Sequence, residues 1–139
     1  MIKKVFIDSD IVLDVATGRQ PFVANSTLIL SLAEAAKIDG YTSSNSITNI
    51  YYILRKLSDH GKALSFIKSI MQFIKIIPVT SEMIKLSMNS KFKDFEDGIQ
   101  HFAAISEGCN YLTTRNVNDF KESKISVIVP IELLLQYQE

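Results

Sequence analysis

The residues of this chain best suited to chemistry are aspartates: Asp8, Asp97 and Asp119, with Asp94 and Asp10 close to them in sequence. Carboxylates brought together repel one another and resist ionising unless a cation compensates. Hard oxygen donors favour magnesium or manganese over zinc. A centre of this kind can activate a water and stabilise the leaving oxygen of an in-line attack on a phosphodiester, so the expected reaction is phosphodiester hydrolysis. Asp8 and Asp97 are the principal expected metal ligands and catalytic residues, with Asp119 and Asp94 completing the set.

Each aspartate also has a purely structural reading. Asp94, three residues before Asp97, fits an N-cap with an acidic first turn, which the helix dipole favours without any metal. Asp119 fits a turn cap before Phe120. Asp8 has no such use: it ends the apolar run Val5-Phe6-Ile7 and is followed by Ser9-Asp10. His101, four residues after Asp97, shares its helical face and is a candidate ligand or proton carrier, although a partly exposed helix residue is the preferred reading. Arg115 is the basic residue nearest the expected site. Lys3, Lys4, Arg55, Lys56, Lys91, Lys93 and Lys121 are further candidates for phosphate contacts, most of them expected to be ordinary solvated charges.

The elements that must position these groups follow from the apolar pattern. Lys4 to Ile7 reads as a strand buried on both faces, with Asp8 emerging at its carboxyl end. Gly18 and Pro21 mark a turn, after which residues 24–37 place Leu28, Leu32 and Ala35 at helical spacing. Tyr41-Thr42-Ser43 is a weak second strand. Ser44 or Asn45 then caps a helix with Ile47, Ile50, Tyr51 and Leu54 on one face. Asp59-His60-Gly61 reads as a loop before a helix with Leu64, Ile67, Ile70 and Met71 in a stripe. Residues 75–79 form a third strand, and a helix follows from Ser81 to Asn89. The acidic segment at Asp94 opens a helix whose Ile99, Phe102 and Ala103 face the core. Residues 110–114 and 126–129 are the fourth and fifth strands.

Strands separated by helices imply a parallel sheet with helices on both faces, a three-layer α/β/α domain. In such sheets ligands bind beyond the carboxyl ends of the strands, near the point where strand order reverses, which is where Asp8, Asp97 and Asp119 are expected. The Gly-rich phosphate loops G-x-G-x-x-G and G-x-x-x-x-G-K-[ST] are missing, which removes the main support for a nucleotide cofactor.

At 139 residues and 47% hydrophobic content, one core and one domain spanning residues 1–139 are expected. Fifteen basic residues offset fifteen acidic ones, so a nucleic-acid partner has to be held by local patches and a cation. No apolar run reaches the roughly 18 residues that a membrane span needs, and the amino terminus becomes charged too soon for a signal peptide; a cytoplasmic protein is expected. The lone Cys109 reads as a small buried filler.

Three segments together resemble the PIN-domain family: residues 5–14 around Asp8, residues 92–100 around Asp97, and Thr113-Thr114-Arg115-Asn116-Val117-Asn118-Asp119-Phe120. The resemblance spans almost the whole chain and keeps the family's order. It implies a magnesium- or manganese-dependent ribonuclease acting on RNA, commonly the VapC-like toxin of a toxin–antitoxin pair, often dimeric and neutralised by a small antitoxin. By the same resemblance Asp8 is the first family aspartate, Asp97 the aspartate before the fourth strand, and Asn116 or Asp119 the polar pair after it. Asp10 stands where the family usually has asparagine or serine and adds charge.

One departure from the family pattern falls at Asn49. Many members carry a glutamate there, and an amide can coordinate through its carbonyl oxygen but brings no charge, so metal affinity should fall. A degenerate, non-catalytic module that binds RNA or a protein is the alternative reading. A phosphatase using Asp8-Ser9-Asp10 as an Asp-x-Asp nucleophile motif ranks below both.

Overall fold

The structure, a computed structural model, describes residues 1–138. The chain runs β1 (Lys3–Ile7), α1 (Ser9–Thr17), α2 (Val23–Glu34), β2 (Ile38–Ser43), α3 (Ser44–Leu57), α4 (His60–Ile70), β3 (Ile74–Ile77), α5 (Ser81–Met88), α6 (Phe95–Glu107), β4 (Tyr111–Thr113), a 3-10 turn (Val117–Phe120), β5 (Ser126–Ile128) and α7 (Pro130–Leu135). The strands form one five-stranded parallel sheet in the order β3-β2-β1-β4-β5. With helices on both faces this is the expected three-layer α/β/α architecture. From β1 the chain builds outward to β2 and β3, then returns to add β4 and β5 on the other side. The order therefore reverses between β1 and β4, and their carboxyl ends flank the crevice where such sheets bind ligands.

Alternation along β1 divides the core. Val5 and Ile7 point into a cluster with Ile29, Ile50, Ile70 and Leu133, contributed by α2, α3, α4 and α7. Phe6 points the other way, packing with Leu112, Met83, Ala103, Ala104 and Phe120 under α5 and α6. After Lys3 and Lys4 at its start, β1 is buried on both faces and admits no polar side chain until it leaves the sheet, which is why the next one, Asp8, falls at the crevice.

Four helices start on side-chain caps. Ser43, Asp59, Thr80 and Asp94 each accept a hydrogen bond from the backbone N–H three residues on, opening α3, α4, α5 and α6. The structure thus moves the cap of α3 from the expected Ser44 or Asn45 to Ser43, and makes Asp59 a cap and His60 the first residue of α4 rather than part of a loop. Close approach fixes the start of α6. A side-chain carbon added at Gly98 would collide with Ser87 Oγ of α5, and that hydroxyl donates 2.8 Å to the Phe95 carbonyl.

Other expectations need correction. The helix α1 went unpredicted, and α2 ends at Glu34 rather than Lys37. The buried face of α2 carries Ser26, Ile29, Leu30 and Ala33, while Leu28 of the expected stripe is 52% exposed and Ala35 lies beyond the helix. On α4 the buried residues are Ala63, Ile67 and Ile70, with Leu64 and Met71 exposed. The second strand starts earlier, at Ile38, and the third ends before Pro78. Cys109 is buried and unpaired, and burial pushes its thiol up to about 12, as expected of a filler.

Candidate active site

Asp8 follows β1 at the N-cap position of α1, yet its side chain makes no capping hydrogen bond. The carboxylate instead receives 2.7 Å from Thr114 Oγ1, the residue that follows β4, and lies 3.4 Å from Ser9 Oγ. It is 6% exposed. Burial raises its pKa, against the hydrogen bonds of Thr114 and the Gln100 side chain, which lower it. A buried aspartate turned away from the helix it could cap is free to serve a ligand.

Asp10 sits in the first turn of α1, half-buried. Asn116 Nδ2 donates 3.0 Å to its Oδ2, while Oδ1 is buried without any hydrogen-bond partner. Desolvation, then the charges of Asp8 and Asp14, push its pKa up to about 7, partly offset by Arg115. Asp97, in the first turn of α6, is likewise raised to about 7 by burial and by Asp94, Asp8, Asp119 and Asp10 in decreasing order. Asp97 thus feels the charges of all four other carboxylates, with burial as the larger cause of its shift.

They are not equivalent. Asp94 is exposed and caps α6 through a 3.0 Å bond from Asp97 N, its structural reading. Asp119 is exposed in the 3-10 turn and lines a cleft of about 450 Å³ together with Asp94 and Asp97. Asn49, half-buried on α3, lines a small crevice together with Ser9, Ser46, Glu96 and Gln100.

Gln100 was not anticipated from the sequence. Buried on α6, it accepts long hydrogen bonds from Ser46 Oγ (3.3 Å) and Ser9 N (3.4 Å) and directs its amide towards Asp97 (3.5 Å). Its place one helical turn after Asp97 was the available signal. Thr114 was quoted in the family-like segment without a role; its hydroxyl holds Asp8 and accepts 3.0 Å from Asn116 N.

Two expectations about basic residues change. Arg115 Nε and Nη2 bond Asp14 at 2.8 and 3.2 Å, so most of its recognition fork is taken up inside the protein. His101 is neither exposed nor at the carboxylates: it is buried against Phe92 and Phe102, and its Nε2 accepts 3.0 Å from Lys124 N.

A hard divalent cation fits this donor set. The unpartnered Asp10 Oδ1 and the elevated carboxylates are groups that a cation would satisfy and a proton satisfies only partly. Among the described residues no three His, Cys, Asp or Glu side chains converge tightly enough to enclose one ion.

The α/β/α fold with aspartates at its topological switch point defines a class that comparison with known proteins identifies: the PIN domain model matches residues 4–118, and the chain belongs to that family. It is 35% identical over 135 residues to "Ribonuclease VapC1" of Aquifex aeolicus (strain VF5), covering 94% of this chain and 92% of that protein. Similar solved folds include a toxin–antitoxin complex from Klebsiella pneumoniae, with a TM-score of 0.69 at 19% identity over 91% of this chain and 97% of that one. VapBC2 from Rickettsia felis, bound to a DNA fragment from its promoter, gives 0.67 at 15% identity over 91% and 98%. Mycobacterium tuberculosis VapC20, a Sarcin-Ricin loop cleaving toxin, gives 0.62 at 12% over 78% and 86%.

Proposed function

We propose that this protein is a metal-dependent endoribonuclease of one PIN-like domain that hydrolyses RNA phosphodiester bonds, and that it acts in the cytoplasm as the toxin of a toxin–antitoxin pair with a cognate antitoxin. The observation that carries the catalytic reading is the buried Asp10 Oδ1 left without a hydrogen-bond partner, two residues from Asp8 at the end of β1, with the charges of Asp8 and Asp10 both acting on Asp97. The 35% identity to a ribonuclease over nearly the whole chain supports the same reaction.

Asp8 and Asp97 are the principal ligands for magnesium or manganese, with Asp10 beside them and Asp119 and Asp94 at the rim of the cleft. When bound, such a cation supplies a Lewis acid for the phosphoryl oxygens and a water of lowered pKa. The chain's own contribution is orientation. Thr114 fixes the Asp8 carboxylate, Asn116 fixes that of Asp10, and Gln100 stands between Asp8, Asp97 and the α3 hydroxyl of Ser46.

A second reading, a non-catalytic module that binds RNA or protein, draws on Asn49. The α3 side of the crevice offers only amide and hydroxyl groups, with Glu96 across from them on α6. One experiment separates the readings: a pool of structured RNA incubated with the protein in magnesium, manganese or EDTA, beside Asp8→Asn and Asp97→Asn. Metal-dependent cleavage lost in both variants, with their folds intact, is the expected result. Cleavage by Asp8→Asn at the parent rate overturns the enzyme reading. No cleavage and no thermal stabilisation by manganese favours the binding module.

A further inference from the structure

We infer that Glu96 is a further residue of the metal centre: from a crevice between α1, α3 and α6 it brings negative charge to the cation of Asp8 and Asp97, the charge that Asn49 on α3 does not supply. The inference rests on the metal-dependent ribonuclease reading and deepens its metal site.

The crevice is lined by Ser9 of α1, by Asn45, Ser46 and Asn49 of α3, and by Glu96 and Gln100 of α6. Every one of these side chains carries an oxygen, and Glu96 alone carries a charge. The open volume is about 10 Å³, close to the least that admits one water. Nothing as large as a nucleotide base enters, so the oxygens there serve a water or an ion. Hydroxyls, amide carbonyls and a single carboxylate suit a hard cation and the waters it keeps.

Position ties the crevice to the proposed ligands. Ser9 follows Asp8 in the chain, and Glu96 precedes Asp97. Gln100 joins the two regions, accepting from Ser46 Oγ and Ser9 N while its amide is directed towards Asp97 Oδ1 at 3.5 Å. The crevice shares no lining residue with the 450 Å³ cleft of Asp94, Asp97 and Asp119, so Glu96 addresses the centre from a direction that Asp94 and Asp119 do not cover.

Little else occupies Glu96. It is exposed and forms no salt bridge among the described residues, and the start of α6 is already capped by Asp94, with Asp97 in the first turn. A further acid in that turn gains from the helix dipole but is repelled by the two carboxylates beside it. A divalent cation relieves that repulsion, whether it meets Glu96 directly or through a coordinated water.

The test measures manganese binding to the metal-free protein by the electron paramagnetic resonance signal of the free ion, with no RNA present. Glu96→Gln is compared with the parent, with Asn49→Glu, with the double variant, and with Glu132→Gln. That last change removes another exposed acid from the first turn of a helix, α7, outside the crevice. The expected result is about five- to tenfold weaker binding by Glu96→Gln, from one charge lost near a divalent ion, and less than about a twofold change for Glu132→Gln. Asn49→Glu should bind at least as tightly as the parent, and the double variant should return to within about twofold of it, because the crevice regains its charge. A role confined to the first turn of α6 is not rescued from α3.

Equal binding by Glu96→Gln and the parent overturns the inference, as does a loss that Asn49→Glu fails to rescue; both leave the ribonuclease reading standing. Manganese binding by the parent without cleavage of the RNA pool brings down the ribonuclease reading alone, since the titration needs no RNA. No manganese binding by the parent brings down both.

Discussion

Thr114 Oγ1 donates a 2.7 Å hydrogen bond to Asp8 Oδ2 across the line where the sheet reverses its strand order. Both residues are buried, and the same junction is stitched by Asp8 N donating 3.0 Å to the Thr113 carbonyl. A hydroxyl bonded to a carboxylate at this distance is a strong, orienting contact. Thr114→Val keeps the shape and removes the donor, and should cost about 1–3 kcal/mol of stability. It should also weaken stabilisation by manganese, whereas Thr114→Ser should retain most of both. Denaturant unfolding with and without manganese measures this, and a valine variant matching the parent in both would refute the role.

Arg115 is held by Asp14, which is 1% exposed and also receives 3.0 Å from Ser26 Oγ. The guanidinium lies 4.0 Å from the centre of the Phe22 ring, so charge, fork and stacking are all engaged. Arg115→Ala leaves a buried carboxylate uncompensated and should cost about 3–5 kcal/mol. Arg115→Lys keeps the charge but not the fork, and should recover less than half of that. Under conditions where the variants stay folded, RNA affinity should fall less than threefold. A tenfold loss of affinity without a stability change would instead make Arg115 a phosphate contact.

How much of this was legible in the sequence varied with the physics of each part. Asp8 could be read because a doubly buried strand admits no polar residue until it leaves the sheet, and Asp97 because it opens a helix with a clear apolar stripe. The helix α1 was hidden by its nine-residue length and by Ile11, Val12 and Val15, whose β-branched side chains resemble strand. Leu28 misled the reading of α2 because both Leu28 and Ile29 lie on apolar helical spacings, and only packing against the sheet selects Ile29. The partners chosen by Arg115, Thr114 and Gln100 lie 101, 106 and 54 positions away, distances at which no local pattern operates.

Gln100 offers a way to add the charge that Asn49 lacks. Its side chain stands between Ser46 on α3 and the Asp8 and Asp97 carboxylates, so Gln100→Glu places another anion beside carboxylates already raised, Asp8 by burial and Asp97 by burial and then by its acidic neighbours. Without metal this variant should unfold at a lower temperature than the parent. With saturating manganese its thermal shift should exceed the parent's, because the cation relieves more repulsion. Gln100→Leu should lose stability in both conditions and show a smaller shift. A scanning-fluorimetry titration decides it, and equal shifts for parent and glutamate variant would place Gln100 outside the metal environment.

His101 supplies the pH dependence that can be isolated. Its Nε2 accepts from Lys124 N, so the proton of the neutral ring is on Nδ1, which is buried without a partner. Burial, reinforced by the Lys124 charge, lowers its pKa to about 4 from an ordinary 6.5. Between those values the unfolded chain binds a proton that the folded one refuses. The contribution is therefore complete above pH 6.5 and lost as pH falls towards 4, by roughly 3 kcal/mol in full. Asp10 and Asp97 act in the opposite sense: raised to about 7, they hold protons in the fold that the unfolded chain releases above about pH 4, so they favour the metal-free fold as pH falls from 7. The parent's own profile mixes the two slopes, and a variant separates them. His101→Phe removes the titration and the Lys124 contact, so it should be less stable than the parent at pH 7.5. The gap should then narrow by roughly 2–3 kcal/mol at pH 4.5, as the parent alone meets the cost of a buried imidazole. Chemical unfolding of both proteins across that range makes the comparison, and a constant gap would mean that the ring accepts its proton as readily in the fold as in the unfolded chain.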